Sequence, residues 1–74
     1  MIIDNKLSKY GLDETIIKYF FSKTKKKNKE IKAATFIRYI DGDVTFHLML
    51  ETGLMTLTLS INKIRNYKIT KLLE

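Results

Sequence analysis

Seventy-four residues with no cysteine and a formal charge of +6 make one domain, 1–74, at most, and exclude both a disulfide framework and a thiolate metal site. A chain this short is marginal by itself, so stability has to come from its apolar core, with self-association as a second source. No apolar stretch approaches the roughly 20 residues that span a bilayer, and Met1-Ile2-Ile3-Asp4 lacks the basic region and long apolar segment of a signal peptide. The expectation is a cytoplasmic protein. Abundant Lys, Ile and Asn with no Pro suit an AT-rich genome, whether of a bacterium, a phage or a plasmid.

The first signal along the chain is Asp4 to Tyr10, room for one or two helical turns with Asp4 as cap and Gly11 as stop. A stronger one follows. In Leu12-Asp13-Glu14-Thr15-Ile16-Ile17, Asp13 can cap a helix while Leu12 packs on Ile17 as a hydrophobic staple. Ile16, Ile17, Phe20 and Phe21 then recur at helical spacing. The pattern predicts a helix over about 13–23.

A basic segment, 23–32, comes next. Residues 16–32 hold seven lysines against Glu30, so this stretch alone carries +6 while the other segments nearly cancel. Its potential reaches about one Debye length, roughly 8 Å at physiological salt. Lys23, Lys25, Lys26, Lys27, Lys29 and Lys32 thus form a candidate phosphate-contact surface. The competing reading is a solvated final helical turn, or a loop that maintains solubility.

From residue 31 the hydrophobic period changes from 3.6 to 2. Asp41-Gly42 is a two-residue turn suited to a type I′ hairpin, and Thr52-Gly53 is a weaker second candidate because Thr resists positive φ. These turns predict a β-meander over 33–40, 44–51 and 54–61. In that register Tyr39, Ile37, Thr35 and Ala33 face Val44, Phe46, Leu48 and Leu50. Those four in turn face Ile61, Leu59, Leu57 and Met55. A one-residue slip would turn the apolar set to the other side.

The tail reads two ways. Alternation of Tyr67, Ile69, Lys71 and Leu73 favours a turn near 61–66 and then a fourth strand over about 66–73. Ser60 could equally cap a helix using Ile61, Ile64, Tyr67 or Lys68, and Leu72.

The same register places Phe36 beside His47 and Thr58, Arg38 beside Thr45 and Ser60, and Ala34 beside Met49 and Thr56 on the second sheet face. An aromatic, an arginine and hydroxyls on a sheet resemble the stacking platforms that bind single strands. Phe36 and Arg38 therefore join the candidate nucleic-acid-binding residues. The alternative is that this face is covered, by the C-terminal segment or by a second subunit. Lys63, Arg65, Lys68 and Lys71 make a second basic cluster, useful to the first only if the two meet in space.

Catalysis has little to stand on. His47 is the sole histidine and lies in no metal-ligand spacing. Asp41 and Asp43 belong to a turn and do not make a calcium loop. Gly11, Gly42 and Gly53 are too scattered for a phosphate loop. The expectation is no enzyme, no metal and no cofactor. Membrane-surface binding by the lysines beside Tyr19, Phe20 and Phe21 competes with the use of those rings in a small core.

The chain therefore reads as an α+β domain: an N-terminal amphipathic helix on a three- to four-stranded antiparallel meander. Ile16, Ile17, Phe20 and Phe21 would meet Ile37, Phe46, Leu48, Leu57 and Leu59. A bent sheet could curl into a small SH3- or Sm-like barrel; the order of elements resembles Sm-like RNA-binding barrels in layout alone. The leading functional expectation is a small non-catalytic protein that binds DNA or RNA. The alternative is a regulatory or interaction module, of phage or plasmid type, that meets a protein partner or itself through the second sheet face.

Overall fold

Asp4 organises the N-terminal end of the chain. In the computed structural model, which describes residues 1–24 and 30–73, its carboxylate serves two elements at once. One oxygen accepts from the Lys6 N–H at 3.0 Å and caps α1 (Asn5–Ser8); the other accepts from the Phe36 N–H at 3.1 Å on β2 (Ile31–Ile40). These two bonds, Lys6 first, hold the Asp4 carboxyl below the ordinary carboxylate range. The chain before it forms β1 (Ile2–Ile3), parallel to β2 through Ile2↔Ala33 and Ile3↔Ala34. Parallel neighbours need a crossover. α1 and α2 (Glu14–Phe21) supply it.

The Asp13 cap is present: its carboxylate accepts from the Ile16 N–H at 2.9 Å. Leu12 and Ile17, the expected staple, are both buried in the core. α2 stops at Phe21, two residues short of the expected end, and Lys23 lies in the turn that follows.

β2, β3 (Asp43–Leu50) and β4 (Gly53–Ser60) form the expected meander, in the order β1-β2-β3-β4. The first turn is as read: Asp41 and Gly42 take φ of +51° and +84°. The register beyond it is not. β2 carries a bulge at Ile37, so that Phe36 faces Phe46 and Ala34 faces Leu48, while Ile37 is left unpaired before Arg38↔Thr45. A second irregularity between Ile31 and Ala33 brings Ile31 opposite Leu50. The physical gain is clear. Without the bulge, Thr35 would lie against Leu48; with it, Ala34, 2% exposed, takes that place and Thr35 turns outward opposite His47.

The second turn is Glu51-Thr52, one residue earlier than expected, since Leu50 pairs with Gly53. Thr52 avoids positive φ, and Gly53 takes it instead at +138°. Phe46 accordingly faces Leu57 and Leu48 faces Met55. This is a slip of two, which leaves every side chain on its original face.

The tail is a helix, α3 (Ile61–Leu73), so the strand expected over 66–73 is corrected. Ser60 caps it by accepting from the Lys63 N–H at 3.1 Å, and Ile64, buried, pins it to the core. Alternation in the tail was incidental, because Ile69, Leu72 and Leu73 are all exposed.

The core lies between the helices and one sheet face: Leu7, Leu12, Ile16, Ile17 and Phe21 meet Ala34, Val44, Phe46, Leu48 and Leu59, with Ile64 from α3. Each fully buried side chain of this size contributes about 1.5–3 kcal/mol. Phe20 and Leu57 are only partly buried, and Ile37 is outside this set. The architecture is thus α+β with a mixed sheet, and among the described residues that sheet stays open rather than closing into a barrel. No helix among them is long and apolar enough to cross a membrane.

Candidate nucleic-acid interface

α3 holds no acidic residue from Ile61 to Leu73, and its inward positions fix where its cations go. Ile61, Ile64 and Tyr67, three residues apart, face the core. Lys63 and Arg65 lie off that stripe, whereas Lys68 and Lys71 continue it, Lys68 toward Gly11 and Lys71 over the Tyr67 ring; all four are exposed.

Tyr67 links this helix to α2. Its ring lies 4.6 Å from that of Tyr19 and 6.0 Å from that of Phe20, and Tyr19 meets Phe20 edge-on at 5.0 Å. Ile16, Ile17 and Phe21 point into the core, which leaves Tyr19 on the flank, 38% exposed. Cations sit over both tyrosines: Lys23 Nζ is 5.0 Å from the Tyr19 ring and Lys71 Nζ 5.7 Å from the Tyr67 ring. The result is a ladder, Lys23–Tyr19–Tyr67–Lys71. It joins Lys23, at the start of the basic segment, to the C-terminal basic helix.

Two clefts extend the ladder. One, about 200 Å³, lies between Tyr19 and Tyr67 with Lys63, Asn66 and Thr70 on its rim. The other, about 260 Å³, opens where Lys9 at the end of α1 meets Arg65 and Lys68 of α3. Among the described residues Lys9, Lys63, Arg65 and Lys68 form no ion pair. The ion pairs among the described residues lie elsewhere: Glu14 meets the N-terminal ammonium and Lys18, each at 3.7 Å, and Glu51 meets Lys32 at 3.8 Å. Unpaired cations around a concave surface attract anions, and the two cations over the Tyr rings sit beside them.

The residues singled out from the sequence are dispersed. Lys25, Lys26, Lys27 and Lys29 lie outside the described residues. Lys23 is on the ladder. Lys32 is on β2, paired with Glu51. Phe36 is not on the second sheet face: the bulge turns it toward the helices, where it stacks on Tyr10 at 5.6 Å, and Tyr10 stacks in turn on Tyr39 at 4.8 Å. Arg38 stays on the second face opposite Thr45, now beside Thr58 rather than Ser60. Thr45 is buried and its hydroxyl bonds that of Thr58 at 3.0 Å. That face also shows Ile40, Met49 and Leu54 to solvent, and among the described residues no helix covers it.

Tyr19, Tyr67 and Lys9 were not among the nucleic-acid-binding candidates read from the sequence. The Ser60 cap was the available signal for Tyr67, because a helix started there puts Tyr67 three residues after Ile64. Among the described residues no three His, Asp or Glu side chains gather as a metal site would require. No protein-family model, curated protein or solved structure gives a significant match to the chain.

Proposed function

We propose that the protein is a small non-catalytic nucleic-acid-binding protein that grips phosphates with the α3 cations, Lys9 and the lysine-rich segment. The observation that carries this reading is the Lys23–Tyr19–Tyr67–Lys71 ladder, which brings Lys23 from one basic stretch and Lys71 from the other onto one surface with two aromatic rings. Such a surface suits a backbone tracked by cations with bases resting on rings, in DNA or RNA. A cytoplasmic location accords with it.

The test is fluorescence anisotropy with labelled single- and double-stranded oligonucleotides at about 50 and 200 mM salt. Six phosphate contacts correspond to a slope near −5.4 on a duplex and −4.2 on a single strand, hence a loss of roughly a thousandfold or three-hundredfold over that range. Absence of binding at the lower salt would defeat the proposal.

A further inference from the structure

We propose that the free edge of β4 pairs antiparallel with β4 of a second copy of this chain, forming a homodimer with one continuous sheet. The strand order leaves two edges, β1 and β4. β1 has two residues and offers little to a partner, and the outer edge of β2 beyond Ala34 is held at the Phe36 N–H by Asp4, broken by the bulge at Ile37 and charged at Arg38. β4 runs for eight residues, Gly-Leu-Met-Thr-Leu-Thr-Leu-Ser, with no charge, no proline and no bulge against β3. Natural edge strands are normally defended by one of those devices. This one has none.

The direction of its backbone groups follows from the register. Leu50↔Gly53 closes a two-residue loop and is a hydrogen-bonded pair. The Ile61 N–H donates to the Gly42 carbonyl at 2.8 Å, in the same alternation. Met55, Leu57 and Leu59 thus direct N–H and C=O toward β3. Leu54, Thr56 and Thr58 direct theirs to the open edge.

Three features select a second copy as the occupant. First, the strand reads nearly alike in both directions about Leu57, with Thr56 and Thr58 on either side and then Met55 and Leu59. A two-fold axis at Leu57 sets Thr56 opposite Thr58 of the other copy, an outward residue against an outward residue, so these free backbone groups find partners. Second, the same axis brings Leu57 against its counterpart and Met55 against Leu59 on the helix-covered side, and Met55 and Leu57 are only partly buried in the single chain. Third, a chain of charge +6 repels its copy over much of its surface, whereas β4 is an uncharged strip. In this register the start of α3, which carries Lys63, approaches the other copy's turn, which carries Glu51. A foreign strand would gain the backbone bonds without this symmetry.

The test uses the intact, isotope-labelled chain: amide hydrogen exchange by NMR together with sedimentation equilibrium, at concentrations on the order of 10 µM to 1 mM. The expected result is a mass twice the 8.7 kDa of one chain, with the Leu54, Thr56 and Thr58 amides as protected as those of Met55 and Leu57 and losing protection on dilution. A monomer throughout the range overturns the proposal. So does a dimer in which those three amides exchange freely, since its interface must then lie elsewhere, as on the second sheet face. Charge exchange gives an independent check. Thr56→Lys/Thr58→Lys and Thr56→Glu/Thr58→Glu chains should each be monomeric and should form a mixed dimer when combined; two folded variants that remain dimeric alone refute the pairing.

Discussion

Truncating neighbouring residues of β2 separates the bulged register from the simple one. In a regular strand Ile37 would be a core residue and Phe36 a surface one; the bulge reverses them. Phe36 packs against the core and stacks on Tyr10 at 5.6 Å, 8° from parallel. Removal of a fully buried phenylalanine costs about 3–5 kcal/mol. Partial exposure lowers that figure, and loss of the stacked ring returns about 0.5–1.5 kcal/mol. Phe36→Ala should therefore cost about 2–3 kcal/mol. Ile37, unpaired and 37% exposed, should cost about 1 kcal/mol when changed to Ala, because less area leaves the core. In a domain of this size 1 kcal/mol moves Tm by about 4–8 °C, so thermal unfolding followed by circular dichroism should show a drop of about 10–20 °C for Phe36→Ala. The Ile37→Ala drop should be less than half of that. A larger loss at Ile37 than at Phe36 would refute the bulge and restore the regular strand.

Other consequences follow from single groups. Asp4 has a carboxyl held below its ordinary range, so its contribution is present above the unfolded carboxylate pKa and lost as pH falls through the lower, folded value. Asn at position 4 can accept one of the two N–H groups but turns its own NH₂ toward the other. Asp4→Asn should lower Tm at neutral pH, with the gap to the parent chain closing on acidification; a gap constant down to about pH 2 would contradict the carboxylate's role. Asp13→Ala removes the α2 cap and should cost about 1 kcal/mol in urea unfolding. Gly53→Ala meets no atom within 4 Å but must hold φ at +138°, so its cost, about 1–2 kcal/mol, should come from backbone strain alone. No loss there would contradict the positive φ at position 53.

How far the sequence discloses this fold depends on what each signal constrains. Local chemistry sufficed for the Asp13 cap and the Asp41-Gly42 turn, because cap and turn are decided by adjacent residues. Hydrophobic alternation fixed which residues of β3 and β4 share a face, yet it is blind to a slip of two, and β4 slipped by two. The bulge at Ile37 answers to a distant demand: a small residue, Ala34, is needed where Thr35 would have stood, and Asp4 holds the Phe36 N–H from 32 residues away. β1 has too few residues to show any period. The α3 sequence satisfied both periods at once, and only the burial of Ile64 with Tyr67 against the core decides for the helix. For the site, the cations of 63–71 were visible as a cluster. Their meeting with Lys23 through Tyr19 and Tyr67 required the tertiary packing of α2 on α3.

The most direct measurement is the salt slope of oligonucleotide binding for the parent chain and for Lys63→Gln/Arg65→Gln/Lys68→Gln. These side chains are exposed, and Gln preserves helix propensity, so the fold should be unaffected. If all three cations contact phosphates, the slope of log K against log salt should become shallower by about 2.7 on a duplex or 2.1 on a single strand. An unchanged slope would contradict the assignment of the binding surface to α3.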